Sequence, residues 1–458
     1  MKNFSNLFLG VLAIIGLAAC SSDGPDGKKS SVKMNRLNLD NAQYLTLGEG
    51  DNSRANSTET LFKVDADGNT SVVMLECVEQ EDGSTKTHTY NLEVMPELVF
   101  NLTKSWMFLE DCEFYCAANE DMSWKLKSQY NEPAGSYDFH ILANKKTGKV
   151  YYVPDDYKFY FFSNNYYMGD MENYFAEDAA GNLYTTCDPT AGLSKVTTTA
   201  EGAVITKLGP ATMNIGGKPY PLPNGTVVTL GGYFSTSDVI TAVYPNGGYE
   251  VIEFSNYYDS NISEAYLCYD KANNFNLVAS RYVDEKEELQ LSTVSVGTSY
   301  GSISVSDPLI SHTLEGGHAL TTWYYPMYMG DRFIIFGQLL AYDKETGAWL
   351  DKDWLGDELF IVPTPENTYQ GRAWHVWYEG AYWMNLNTLE TGTVNFDIPS
   401  ELEIYWESYN VPGGEAFIYV RDPRDGRSYV YRIDIVTGQG TRSELSFTST
   451  TVTLVPLN

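Results

Sequence analysis

Basic residues are scarce in this chain of 458 residues: 30 lysines and arginines stand against 60 aspartates and glutamates, a formal charge of −30. A polyanion of that size repels nucleic-acid phosphates, which a binding protein must neutralise, so nucleic acid is excluded as a partner. Histidine is scarcer still, with five in all. Only His312-Thr313-Leu314-Glu315-Gly316-Gly317-His318 sets two of them near an acid, which makes His312, Glu315 and His318 weak metal candidates. The Gly-Gly pair there suits a plain loop between strands, and no metal or other cofactor is expected. No cysteine spacing has the paired C-x-x-C form of a structural zinc site. The sequence also lacks a G-x-S-x-G elbow, an H-E-x-x-H helix and a glycine-rich phosphate loop. Sixty acids without a signature do not single out a catalytic pair, so no catalytic residue is assigned. Past the first twenty residues no apolar run approaches the roughly 20 residues that cross a bilayer.

Those first twenty residues are a different matter. Met1-Lys2-Asn3 is a short basic start, Leu7 to Ala19 a compact apolar run, and Leu17-Ala18-Ala19-Cys20 a run of small residues ending in cysteine. The quartet resembles the lipobox of bacterial lipoproteins. The resemblance implies removal of residues 1–19, acylation of Cys20 and membrane attachment through the lipid; two or more acyl chains anchor stably where one is marginal. Cleavage removes one lysine and no acid, leaving the mature charge at −31. Residues 20–33, rich in Ser, Gly, Asp and Lys, read as a flexible tether. An acid shortly after Ser21-Ser22 loosely resembles the export signal of Bacteroidetes surface lipoproteins. In an oxidising compartment the five remaining cysteines, Cys77, Cys112, Cys116, Cys187 and Cys268, leave at least one thiol unpaired. Cys112 and Cys116 are close enough to pair locally; buried free thiols are the reading for most of the others.

From residue 34 to 458 the pattern is short runs of Tyr, Val, Ile, Phe and Thr closed by Gly or Asn turns, the signal of strands and hairpins. Gly301, Gly347, Gly392 and Gly438 are 46, 45 and 46 residues apart, with Gly148, Gly202 and Gly247 as earlier members. Around them recur Lys146-Thr147-Gly148, Glu345-Thr346-Gly347, Glu390-Thr391-Gly392 and Val436-Thr437-Gly438. A period near 45 with three or four strands per repeat resembles the blades of a β-propeller, and counting turns gives seven or eight of them. Two β-sandwich domains are the alternative; they explain the strands but not the repeat. Met34 to Thr60 reads as an amino-terminal strap. Val64-Asp65-Ala66-Asp67-Gly68-Asn69 imitates the start of a calcium loop, but the apolar residues that follow make it a hairpin turn.

Aromatics are plentiful, with 35 Tyr and 9 Trp. Tyr166 and Tyr167, Trp323, Tyr324, Tyr325 and Tyr328, and Trp377 and Tyr378 stand in the densest groups and are the candidate ligand contacts. Tyr and Trp offer a broad apolar face with a polar edge, suited to stacking on sugar rings or anchoring a protein. Trp374 and His375, adjacent in a strand, must point to opposite sides. Both Tyr-Met-Gly-Asp stretches, at 167–170 and 328–331, read as loop-like. The expectation is a lipid-anchored protein of the bacterial envelope, at the outer membrane, that captures a glycan or an envelope protein on one propeller face. A propeller-type glycoside hydrolase or lyase, and a structural subunit of an outer-membrane complex, are the alternatives.

Overall fold

The computed structural model describes residues 30–48, 59–67, 69–81, 83–94, 99–115, 139–154, 156–157, 161, 174–187, 192–200, 202–209, 218–231, 239–254, 262–269, 275–283, 286–313, 327–336, 340–351, 363–364, 367–445 and 455–457. Four-stranded antiparallel meanders follow one another along the chain. Blade 1 is Val99–Asn101, Trp106–Tyr115, Phe139–Asn144 and Val150–Val153, strands A to D from inside to outside. Blade 2 is Phe175–Glu177, Leu183–Thr185, Ser194–Thr199 and Gly202–Lys207; blade 3 is Pro219–Pro221, Val227–Gly231, Val239–Val243 and Tyr249–Glu253. Blade 4 has Ile262–Tyr269, Phe275–Val283 and Lys286–Val296, with an outer strand in two pieces, Ile303–Val305 and Ile310–Thr313. Blade 5 is Met327–Met329, Phe333–Phe336, Leu340–Asp343 and Trp349–Asp351; blade 6 is Thr368–Tyr369, Arg372–Trp377, Gly380–Asn385 and Thr391–Asn395. Blade 7 is Glu403–Asn410, Glu415–Arg421, Ser428–Asp434 and Gly440–Glu444.

The two ends of the chain build the eighth blade together. Val455–Pro456 pairs with Ala42–Gly48 through Tyr44↔Pro456 and Leu45↔Val455, and Glu59–Asp65 and Thr70–Val72 complete the sheet. The C-terminal strand is therefore the innermost strand of a blade whose outer strands come from the N-terminal side. This pairing closes the ring, which removes the problem of an open first and last sheet.

A strand in a ring of blades must be apolar on both sides, because each sheet is packed between two neighbours. Phe333–Phe336 is buried at all four positions: Ile334 and Phe336 pack toward blade 4, Phe333 and Ile335 toward blade 6. In blade 7, Ala416, Ile418 and Val420 pack toward blade 6, whereas Phe417 and Tyr419 meet Tyr44, Phe62 and Val64 of blade 8. Among the described residues every consecutive pair of blades shares one such apolar cluster, and the last joins blade 8 to blade 1. Eight joints fit a ring of eight blades and rule out two separate sandwiches.

The joint between blades 8 and 1 holds an insertion. Ser30–Leu37, Met74–Glu81 and Ser84–Val94 form a three-stranded sheet that pairs with both blades, through Glu59↔Val94 on one side and Asn91↔Tyr115 on the other. Leu37, Leu75, Cys77 and Leu92 fill the wedge beside Leu45, Met107 and Ile141. The strap expected over Met34 to Thr60 is thus half strap and half blade. Its first strand takes in Ser30–Lys33, which the sequence assigns to the tether, because those residues pair with Val78–Glu81.

The repeated turn also needs a correction. In four blades the C and D strands are joined by a five-residue connection in which the strand's last residue is Asn or Asp: Asn144, Asp343, Asn385 and Asp434. Its side-chain oxygen accepts backbone N–H groups of the turn, as at Asp434 from Val436 and Thr437, both 2.9 Å. The residue four positions on is left-handed: Gly148, Gly347 and Gly438, but in blade 6 it is Leu389, at φ 61°. Gly392 is not the turn glycine. It lies in strand D under the Trp383 ring, where a Cβ has no room. Glycine matters most at Gly148 and Gly438, which combine φ 69° and 73° with a carbonyl oxygen, of Leu37 and of Asn395, pressed against the place of the missing Cβ. Gly148→Ala is expected to cost about 2 kcal/mol or more and to loosen the strand Ser30–Leu37, read as faster hydrogen exchange at the Leu37 amide, which donates to Gly148 O at 2.8 Å.

Two turn carboxylates make stability depend on acid. The Arg332 guanidinium, 2.9 Å away, holds Asp343 at about 2, and Arg424 holds Asp422 at about 2. Each favours the folded state when ionised, so its contribution is complete above the ordinary value of 3.8 and is lost as pH falls through about 2. The double variant Asp343→Asn, Asp422→Asn should therefore have a lower urea midpoint than the parent at pH 5. That gap should shrink by pH 2.

Candidate ligand-binding face

Antiparallel order within each blade sorts the connections onto two faces. A–B and C–D turns lie on one, here the turn face; B–C loops and the D–A links between blades lie on the other, the loop face. The turn-face connections of the described strands run from two to six residues. Those of the loop face reach 23 residues between Tyr115 and Phe139, 21 between Val153 and Phe175, and 16 between Asp351 and Thr368. Their sequences differ as much as their lengths. Turn-face connections hold seven acids, seven bases and only two aromatics, Tyr244 and Tyr300. Loop-face connections hold twenty-five acids against eight bases, and twenty-four aromatics. Long connections on a rigid scaffold are where binding residues concentrate.

Blade 6 shows how this face is built. Its B strand, Arg372–Trp377, alternates as the sequence predicts. Trp374 is 1% exposed, donates its indole N–H to Tyr369 O at 3.1 Å, and packs with Ile418 and Val420 of blade 7. His375 points the other way and is exposed. Trp377, on the same side as His375 and at the mouth of the B–C turn, stacks on Tyr382 of strand C with ring centroids 4.5 Å apart and planes 29° from parallel. The His375 ring lies 6.3 Å from Trp377. Tyr378, in the turn itself, is 40% exposed. Trp377, Tyr382 and His375 thus form one chain of rings next to the exposed Tyr378, with Tyr382 also packed on the cluster that joins blades 5 and 6. Tyr382 and His375 were not among the sequence candidates; their pairing across strands B and C is the signal that joins them.

Tyr328 is not in a loop. It is the middle residue of Met327–Met329, the inner strand of blade 5, and pairs with Ile335. Its ring is half-buried against the cluster of Phe333 and Ile335, and burial with Asp331 nearby raises its hydroxyl pKa. Tyr166, Tyr167, Trp323, Tyr324 and Tyr325 belong to D–A links and lie outside the described residues, as does Cys20. Of the metal candidates, His312 lies in the outer strand of blade 4 and stacks on Trp349 at 4.4 Å, while Glu315 and His318 are outside the described residues. Among the described residues no group of three or more His, Cys, Asp or Glu is placed to hold a metal. The Asp65 loop is a hairpin turn: its carboxylate accepts the backbone N–H of Asp67 at 3.0 Å and of Asn69 at 2.8 Å.

Cys77 is a buried free thiol, and Cys187 is buried as well. Burial pushes Cys77 up to about 12, which leaves it unreactive. In the described part of the chain no helix is long and apolar enough to cross a membrane.

No family model and no curated protein matches this chain. Solved structures similar to it include a periplasmic gluconolactonase of Pseudomonas aeruginosa, 10% identical, covering 91% of this chain and 99% of that one at a TM-score of 0.27. The β-propeller domain of the trilobed protease from Pyrococcus furiosus is 8% identical, with 90% and 98% covered and a TM-score of 0.26. The extracellular domain of a one-component system from B. thetaiotaomicron is 9% identical, with 90% and 78% covered and a TM-score of 0.21. None of these likenesses is close enough to carry function, and the sheet order and eight shared joints carry the architecture: this chain is an eight-bladed β-propeller.

Proposed function

We propose that this protein is a lipid-anchored binding protein of the bacterial envelope, held at the outer membrane through Cys20, that captures a glycan or protein ligand on its loop face. The observation that carries this reading is the aromatic group of blade 6, where Trp377 stacks on Tyr382 beside the 40% exposed Tyr378. The Trp377–Tyr382 stack with Tyr378 supplies a flat apolar surface with polar edges, the geometry that stacks on sugar rings. The test is a glycan-array screen of the soluble chain Ser21 to Asn458. Reproducible binding to one polysaccharide class supports the reading, and release of new reducing ends from that polysaccharide replaces it with an enzyme. A blank array from protein that melts cooperatively overturns glycan capture and leaves a protein partner.

A further inference from the structure

We infer that the ligand taken on the loop face is an uncharged glycan, and that carboxylates around the blade 6 rings turn away uronic-acid and sulfated chains. The inference rests on the reading of Trp377 and Tyr378 as the capture surface.

Residues 373–420, which run from strand B of blade 6 to strand B of blade 7, hold seven acids and no lysine or arginine. Glu379 is exposed beside Tyr378 in the turn between strands B and C. Its carbonyl oxygen accepts Phe396 N–H at 2.9 Å, which ties the link leading into blade 7 to that turn. Along this link Asp397 and Glu401 are exposed, and Glu403, exposed as well, opens the inner strand of blade 7. The Glu403 carboxylate accepts the hydroxyl of Tyr405, itself 46% exposed, at 3.2 Å. On the other side, the link that enters blade 6, residues 352–367, holds four acids and one lysine.

The bases that come next in the chain already face acids. Arg421 stands opposite Glu403 in the strand register. Arg424 lies 2.6 Å from Asp422 and 3.9 Å from Glu401, and Arg427 lies 3.3 Å from Glu444.

An uncharged pyranose offers what such a surface can use. Its C–H faces stack on rings, and its hydroxyls donate to carboxylates, which only accept. A uronate or a sulfate ester adds anions where the surface already has them. Proteins that hold such groups meet them with arginine or lysine. Bringing like charges together across an interface is a means of refusing the wrong partner. At physiological salt a charge acts over about 8 Å, so carboxylates beside the rings decide the choice and distant acids of the chain do not.

The test is binding of the full chain in detergent to an array of neutral polysaccharides (dextran, mannan, xyloglucan, arabinan) and acidic ones (polygalacturonate, alginate, chondroitin sulfate). It is run at pH 8, where an ordinary imidazole is uncharged, because His375 is exposed near the rings. A neutral polysaccharide should bind about tenfold or more tightly than any acidic one. The variant Glu379→Gln, Glu401→Gln, Glu403→Gln should bind the acidic chains more tightly than the parent does, a gain that misfolding does not produce. Acidic chains bound as tightly as neutral ones by the parent overturn the selection and leave capture standing. Exclusion that persists unchanged in the triple variant overturns the role given to these carboxylates. An array blank in both halves, from protein that melts cooperatively, overturns glycan capture and the selection with it.

Discussion

A chain ending at residue 454 is expected to lose about 3 kcal/mol of stability, although it lacks only four residues. Those residues hold the inner strand of blade 8. Leu457 is buried among Leu45, Leu47, Val99 and Met107, and its N–H donates to Gln43 O at 3.0 Å. Burying one leucine is worth roughly 1.5–3 kcal/mol, and each backbone hydrogen bond to Ala42–Gly48 adds about 1, offset by the chain entropy of ordering four residues. Removal also bares the edge of Ala42–Gly48, an invitation to pair with another chain. Urea unfolding followed by circular dichroism should show a lower midpoint, and light scattering should show association of the truncated chain. An unchanged midpoint would mean that the ring is not closed by these residues.

The second large effect separates two tryptophans three positions apart. Trp374→Ala removes a side chain that is 1% exposed at the blade 6–blade 7 joint, leaves the Tyr369 carbonyl without its indole donor, and should cost about 3–5 kcal/mol. Trp377→Ala removes a half-buried ring stacked on Tyr382 at the loop face and should cost about 1 kcal/mol or less. Thermal melts of the two variants measure the difference directly. Equal losses would place Trp377 in the core and remove it from the binding surface.

The strands and hairpins of this fold are legible in the sequence because each blade repeats the same physical problem, a short sheet packed on both sides and closed by Asx and glycine turns. The blade count is open between seven and eight because blade 8 is assembled from Val455–Pro456 and Ala42–Val72, nearly four hundred residues apart, and because the inserted strap sheet interrupts the period. The glycine register fails at one place for a local reason: Leu389 adopts the left-handed turn position, and Gly392 happens to follow at the right spacing. Tyr328 reads as loop because a three-residue inner strand is too short to show alternation. The asymmetry of the two faces is present in the sequence but invisible there. It emerges only when strand direction assigns each connection to a face; among the described candidates it sets Trp377 and Tyr378 at the B–C turn of blade 6 and leaves Tyr328 in an inner strand.

The most direct test of the central claim compares the two faces in one titration. Calorimetric binding to the polysaccharide selected by the array should fall at least tenfold for Trp377→Ala, Tyr378→Ala, with the melting transition little changed. Tyr300→Ala, which removes the 78% exposed tyrosine of the turn face, should bind like the parent. Unchanged affinity in the loop-face variant, or loss in the Tyr300 variant, would contradict the assignment of capture to the loop face.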